Sequence, residues 1–127
     1  MDYVSSFNKI FLEFLQDLIS VFPSDAEFRG NLLAVKTGLL LNNKIVCNVF
    51  YTHFLCYEEQ VFQRDERFFL DKDYSEISSS RINIHQFLQK LKAYWPVLTE
   101  DNKDTIWQYF KVLMTLTRKI YNTHTTL

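Results

Sequence analysis

His53 and Cys56 stand three positions apart, and this spacing places two side chains on one face of a helix. A base beside a thiol is the arrangement that activates a cysteine nucleophile. However, the flanking sequence supplies no third residue to orient the imidazole and no glycine-rich turn. We therefore interpret His53 as a histidine at the core or its rim and Cys56 as a small buried side chain, not as a catalytic pair.

A second candidate for chemistry is the stretch DKDYSEISSSRI, which begins like a calcium-binding loop with Asp71, Asp73 and Ser75 at alternate positions. Such a loop needs Gly at its sixth position and a bidentate Glu at its twelfth, where this chain has Glu76 and Ile82. The pattern indicates a solvated charged loop and not a calcium site.

The three histidines lie far apart in the sequence, and apart from Cys56, three positions after His53, no Cys or acid lies at the helical spacing that metal sites use. We therefore predict no metal, no cofactor and no catalytic residues, and we expect the protein not to be an enzyme.

Basic residues interleaved with aromatic ones near the end of the chain suggest a nucleic-acid interface. The basic residues are Lys103, Lys111, Arg118 and Lys119, with Trp107 and Tyr109 between them. Nearby acids, Glu100, Asp101 and Asp104, dilute this charge. The favoured interpretation is a solvated outer helix face, and nucleic-acid binding through this helix is the alternative.

Composition favours helices. The chain of 127 residues is 47% hydrophobic and 17% aromatic, yet it contains only two Gly and two Pro, too few for the many turns of an all-β protein. The net charge of −1 gives no overall field that would attract nucleic acid or an anionic membrane.

The N-terminal apolar stretch carries Glu13 and Asp17 and lacks a basic leader, so we expect neither a signal peptide nor a membrane span. Cys47 and Cys56 lie nine positions apart in one predicted helix and diverge on it, so they cannot pair. An intracellular, non-secreted protein fits both observations.

Five segments show helical periodicity, and together they predict an all-α, single-domain bundle over residues 1–127 with a frayed tail at 122–127. Pro23 ends the first helix, and Ser24 with Glu27 forms a capping box for the second. Asn43 is the predicted cap of a third helix that runs to about Gln63. The fourth and fifth helices have predicted caps at Asn83 and Thr99.

Eight residues should share the core: Phe11, Phe14, Phe50, Phe54, Leu88, Leu91, Phe110 and Leu113.

The order of several short motifs resembles a group of uncharacterised proteins encoded by large double-stranded DNA viruses of algae and amoebae. The matching positions are Phe22-Pro23, Phe68-Phe69, Leu91-Lys92, Trp95 and Ile106-Trp107, and the segment 32–44 is not covered. The resemblance implies a viral source, with the host cytoplasm or the virion as location, and it implies no activity.

The stretch RDERFFLDKDY places two Phe and a Leu between blocks of charge. We expect Phe68 to pack inward as a plug, because consecutive residues of a turn cannot all face one core. Phe69 and Leu70, near Trp95 or Trp107, would then form an exposed aromatic patch that binds a partner protein. The sequence thus predicts a non-enzymatic interaction protein, either a minor virion component or a factor that binds a viral or host protein, of unknown oligomeric state.

Overall fold

The protein is built from helices, and no strand occurs among the residues described. The computed structural model describes residues 2–74, 77 and 84–121. The α-helices are α1 (Tyr3–Val21), α2 (Ala26–Leu41), α3 (Ile45–Val49), α4 (Glu58–Phe62), α5 (Glu66–Asp71), α6 (Ile84–Tyr94) and α7 (Glu100–Tyr121). A π-helical turn (Phe50–Phe54) and two 3-10 turns (Leu55–Tyr57 and Trp95–Val97) complete the ordered elements. The all-α prediction is confirmed.

The two longest helices, α1 and α7, pack against each other in antiparallel directions. Tyr3, at the start of α1, lies beneath the Lys119 ammonium near the end of α7, with 5.7 Å between the nitrogen and the ring centroid. Further along α1, the Tyr109 hydroxyl of α7 donates to Asp17. The pair forms the long axis on which the other helices assemble.

Asp25, and not Ser24, is the N-cap of α2. The Asp25 carboxylate accepts hydrogen bonds from the backbone N–H groups of Glu27 at 2.9 Å and Phe28 at 3.4 Å, which satisfies donors that a helix start leaves unpaired. The predicted Ser24 capping box is therefore wrong by one residue, since Glu27 instead turns toward α6 and pairs with Lys90.

The predicted third helix is present but irregular. It begins at Ile45 without a side-chain cap, so the predicted Asn43 cap is wrong. Its buried residues Val46, Phe50 and Phe54 are spaced by four, which exceeds the 3.6 residues of an α-helical turn. A wider π-helical turn, marked by the bond from the Leu55 N–H to the Phe50 carbonyl, offsets this drift and keeps all three on the core side.

A short helix, α5, occupies the region predicted to be a turn. A left-handed residue, Arg64 (φ 53°), ends α4, with the Asp65 N–H bonded to the Gln60 carbonyl at 2.9 Å. Asp65 then caps α5 by accepting from the Phe68 N–H at 3.0 Å. Helical phase thus decides which aromatic side chain points inward: Phe69 is 6% exposed and Phe68 is half-buried. The predicted plug, Phe68, is wrong by one position.

The last two helices follow their predicted positions. Tyr94 ends α6 just before Pro96, and the Thr99 hydroxyl caps α7 by accepting from the Asn102 N–H at 3.1 Å. The predicted cap at Asn83, the frayed tail at 122–127 and the residues Ser75, Glu76 and Ile82 lie outside the described residues.

One core cluster contains residues from every α-helix except α4. The eight residues predicted to share a core all belong to it, so that prediction is confirmed. Edge-to-face ring contacts join the helices across this core, as between Phe14 of α1 and Phe110 of α7 at 5.6 Å between centroids.

Candidate functional site

The residues predicted to form an exposed aromatic patch lie inside the protein. Phe69 packs against Trp95 at 5.1 Å and Trp107 at 6.0 Å between ring centroids. Trp95 is 1% exposed and Trp107 is 6% exposed, while Leu70 is half-buried against the same core. The structure therefore brings the predicted residues together, but the prediction that they form a surface patch is wrong.

The four basic residues of the alternative interface lie against three different parts of the molecule. Lys103 covers the Trp95 ring at 5.7 Å, and Lys119 covers Tyr3. Lys111 covers Phe62 of α4 at 5.6 Å, and the Arg118 Nε donates to both carboxylate oxygens of Glu58, at 3.0 and 3.1 Å. These cations make intramolecular contacts, and nucleic-acid binding stays a prediction.

Neither thiol is hydrogen-bonded to an imidazole among the described residues. Cys56 is exposed, against the prediction that it is buried, and its Sγ lies 3.9 Å from the His53 backbone oxygen. Cys47 is buried, and desolvation raises the pKa of its thiol. The described residues contain no group of three or more His, Cys, Asp or Glu that could hold a metal ion.

The surface that stands out is the side of α2 that faces away from the core. Three leucines of this helix are strongly exposed: Leu33 at 67%, Leu40 at 89% and Leu41 at 66%. Leu33 and Leu40 are seven positions apart, two helical turns, so they lie on one side of α2. We call these leucines, with Arg29 and Lys36 of the same helix and Lys44 three residues beyond its end, the outer face of α2.

The opposite side of α2 is already used for packing. Phe28 is 0% exposed and Val35 is 4% exposed, and both belong to the core cluster. The outer leucines are therefore surplus to what attaches α2 to the bundle. A helix with apolar residues on both sides is expected where a second surface has to be covered.

The charges on this part of the chain all have one sign. Arg29, Lys36 and Lys44 are the charged residues between Phe28 and Ile45, and all three are exposed. The chain as a whole has a net charge of −1, so the remainder is net negative. The carboxylate of Glu27, just before this segment, pairs with the Lys90 Nζ at 2.7 Å and accepts a hydrogen bond from the Gln86 Nε2 at 3.1 Å. The outer face of α2 therefore combines exposed leucines with exposed cations.

The sequence contains a signal for this face that the periodicity analysis passed over. The runs Leu32-Leu33 and Leu39-Leu40-Leu41 supply more apolar residues than a single buried stripe can use. Only one residue of each run packs against the core as half-buried, namely Leu32 and Leu39. The excess of leucines, rather than their period, marks the exposed surface.

Comparison with known proteins gives no relative. No family model, no curated protein and no solved structure matches this chain. The resemblance to viral proteins therefore stays a prediction. None of the described helices is long and apolar enough to cross a membrane.

Proposed function

We propose that this protein is a non-enzymatic interaction protein that binds an acidic amphipathic helix of another protein through the outer face of α2. The observation that carries the proposal is the exposure of Leu33, Leu40 and Leu41 on α2, together with the positive sign of every charged residue from Arg29 to Lys44.

A helical partner fits the spacing of this face. Leu33 and Leu40 repeat after seven residues, which is the period at which two packed helices present side chains to each other. Extended peptides pair with sheet edges instead, and the described residues contain no strand. The partner helix would cover the leucines with its own apolar stripe.

An acidic partner fits the charges. Asp or Glu beside the apolar stripe of the bound helix would lie near Arg29, Lys36 and Lys44, whose positive charges favour encounter with acidic surfaces and disfavour basic ones. We also propose that this protein is either a minor virion component or a factor that binds a viral or host protein, and this part of the proposal rests on the resemblance alone.

The test is a selection of helical peptides from a random library on the purified protein. Binders that also bind a Leu33→Ser/Leu40→Ser variant are removed. We expect the enriched sequences to have one apolar stripe flanked by Asp and Glu, with micromolar affinity, about 8 kcal/mol. The matched control is Val97→Ser, which removes an equally exposed apolar side chain outside α2 (70% exposed) and should leave binding unchanged.

Charge reversal gives the second readout. Lys36→Glu should weaken the selected acidic peptides and make their affinity less sensitive to salt. Three outcomes would overturn the proposal: neutral or basic peptides are enriched, the protein dimerises through these leucines, or it binds anionic vesicles or DNA in preference to the peptides.

A further inference from the structure

A small cavity lies beneath α5, apart from the outer face of α2. Its volume is about 60 Å³, it is partly open to the surface, and it lies between α5, the irregular third helix, α6 and α7. Its wall is made mostly of ring and aliphatic side chains, among them Phe54, Phe69, Leu88, Trp107, Phe110 and Met114. The aromatic residues that the sequence predicted as a surface patch thus include two that line an internal space.

Most of the polar side chains that line this cavity bond to other protein atoms, and Gln60 is the exception. The Tyr74 hydroxyl donates to the Phe69 carbonyl at 3.0 Å, and burial raises the pKa of Tyr74, so the phenol stays neutral. Asp65 accepts from the Phe68 N–H. At the mouth, Lys72 donates to the Tyr57 hydroxyl at 3.3 Å and lies 4.5 Å from the centre of that ring.

Among the described residues, the buried side-chain polar atoms without a partner are Asn8 Oδ1, His85 Nδ1 and Trp95 Nε1. None of these residues lines the cavity. A water molecule needs two to four polar partners, and an apolar cavity that lacks them stays dry. The cavity is therefore suited to an uncharged apolar group and poorly suited to water, an ion or a sugar.

The backbone beside the cavity is irregular. Phe50 and Phe54, the first and last residues of the π-helical turn, both line the space, and π-helical turns occur frequently at functional sites. Tyr57 and Val61, which follow this turn in the chain, also line the cavity.

We propose that this cavity binds one uncharged aromatic ring, free or as the end of a small molecule. Ring edges and faces on several sides offer edge-to-face contacts, and the Met114 thioether offers a sulfur contact. A designed cavity of about 150 Å³ holds benzene. The space here is smaller, so a bound ring would extend beyond it to the mouth, where Phe68 and Val61 are half-buried. This inference does not depend on the function proposed for α2.

The experiment uses toluene, cyclohexane and benzoate as probes for the wild-type protein. Toluene should raise the melting temperature in a saturable manner, because a ligand that binds only the folded state stabilises it. Iodobenzene should quench tryptophan fluorescence, since Trp107 lines the cavity and the Trp95 ring centroid lies 5.7 Å from that of Trp107. Benzoate should do neither, because burying its carboxylate costs more than a contact with Lys72 returns, and the Lys72 ammonium at the mouth is already bonded to the Tyr57 hydroxyl.

Two variants fill the cavity from different sides, Val61→Phe and Met114→Phe, and either should weaken toluene binding at least about tenfold. The matched control is Val112→Phe, which makes the same Val-to-Phe change at an exposed position of α7 (42% exposed). This variant should bind toluene as the wild type does. The proposal is overturned if toluene has no saturable effect, if cyclohexane binds as tightly as toluene, or if a folded cavity-filling variant retains wild-type affinity.

Discussion

The two adjacent phenylalanines of α5 have different structural roles. Phe69 contacts Trp95, Trp107 and Phe110 in the core, whereas Phe68 is half-buried beside Tyr57 at 4.9 Å. We expect Phe69→Ala to lower the free energy of unfolding by about 3 to 5 kcal/mol and Phe68→Ala by clearly less. Denaturation in urea measures both. Equal losses in the two variants would contradict the assigned orientation.

The two thiols should differ in reactivity. Cys56 is exposed, while Cys47 is buried and its raised pKa keeps it as the unreactive thiol at neutral pH. Under native conditions, an alkylating reagent should modify Cys56 within minutes and Cys47 only as fast as the protein unfolds. Mass spectrometry of the peptides distinguishes the two sites. Fast modification of Cys47 in the native state would show that this region opens locally.

At the scale of elements, the junction between α4 and α5 contains a strained residue. Arg64 has a positive φ of 53°, a conformation that costs a residue with a Cβ about 1 kcal/mol or more, and it also pairs with Asp104. Arg64→Ala and Arg64→Gly both remove the ion pair, but only the second relieves the strain. We expect the Gly variant to be more stable than the Ala variant by about 1 kcal/mol in thermal unfolding. A less stable Gly variant would contradict this.

The sequence was sufficient to predict that these elements are helices, because apolar residues at three- and four-residue intervals leave little alternative. It was not sufficient to predict their phase. Choosing Phe69 over Phe68 requires knowing that a helix starts at Glu66, and in the sequence its cap, Asp65, stands out only as one of a block of charged residues. The π-helical turn was also missed, because the four-residue spacing of Val46, Phe50 and Phe54 looks α-helical without the neighbouring helices.

The contact between α2 and α6 depends on a carboxylate that should respond to acid. Burial of Asp25 opposes its charge, but hydrogen bonds from Tyr94 and Lys90 outweigh that cost and lower its pKa. The stabilisation is then present above the unfolded pKa, about 4, and is lost as the pH falls through the lower folded value. Asn also caps helices well, so Asp25→Asn removes mainly the charge.

We therefore expect the wild type to be more stable than Asp25→Asn at pH 6, with the difference shrinking below about pH 4. Urea denaturation at a series of pH values measures this. Parallel curves for the two proteins between pH 6 and pH 2 would contradict the assignment of the acid response to Asp25.

At the scale of the whole molecule, the same core residues connect the first and last described helices. Phe14 of α1 contacts Phe87 of α6 at 5.9 Å and Phe110 of α7 at 5.6 Å, and Phe110 in turn contacts Phe69 of α5. Every described helix longer than five residues contributes buried side chains to this cluster. The outer face of α2 and the cavity beneath α5 are therefore held by one continuous packing arrangement.

We accordingly expect unfolding to be a single cooperative transition. Tryptophan fluorescence reports Trp95 and Trp107 in the core, and circular dichroism reports all helices, so the two signals should change at the same denaturant concentration. Phe14→Ala changes α1 at a ring that makes no ring contact with either tryptophan, and it should shift both transitions together by about 3 to 5 kcal/mol. Two separate transitions, or a shift of one signal alone, would show that α1 and the tryptophan cluster unfold independently.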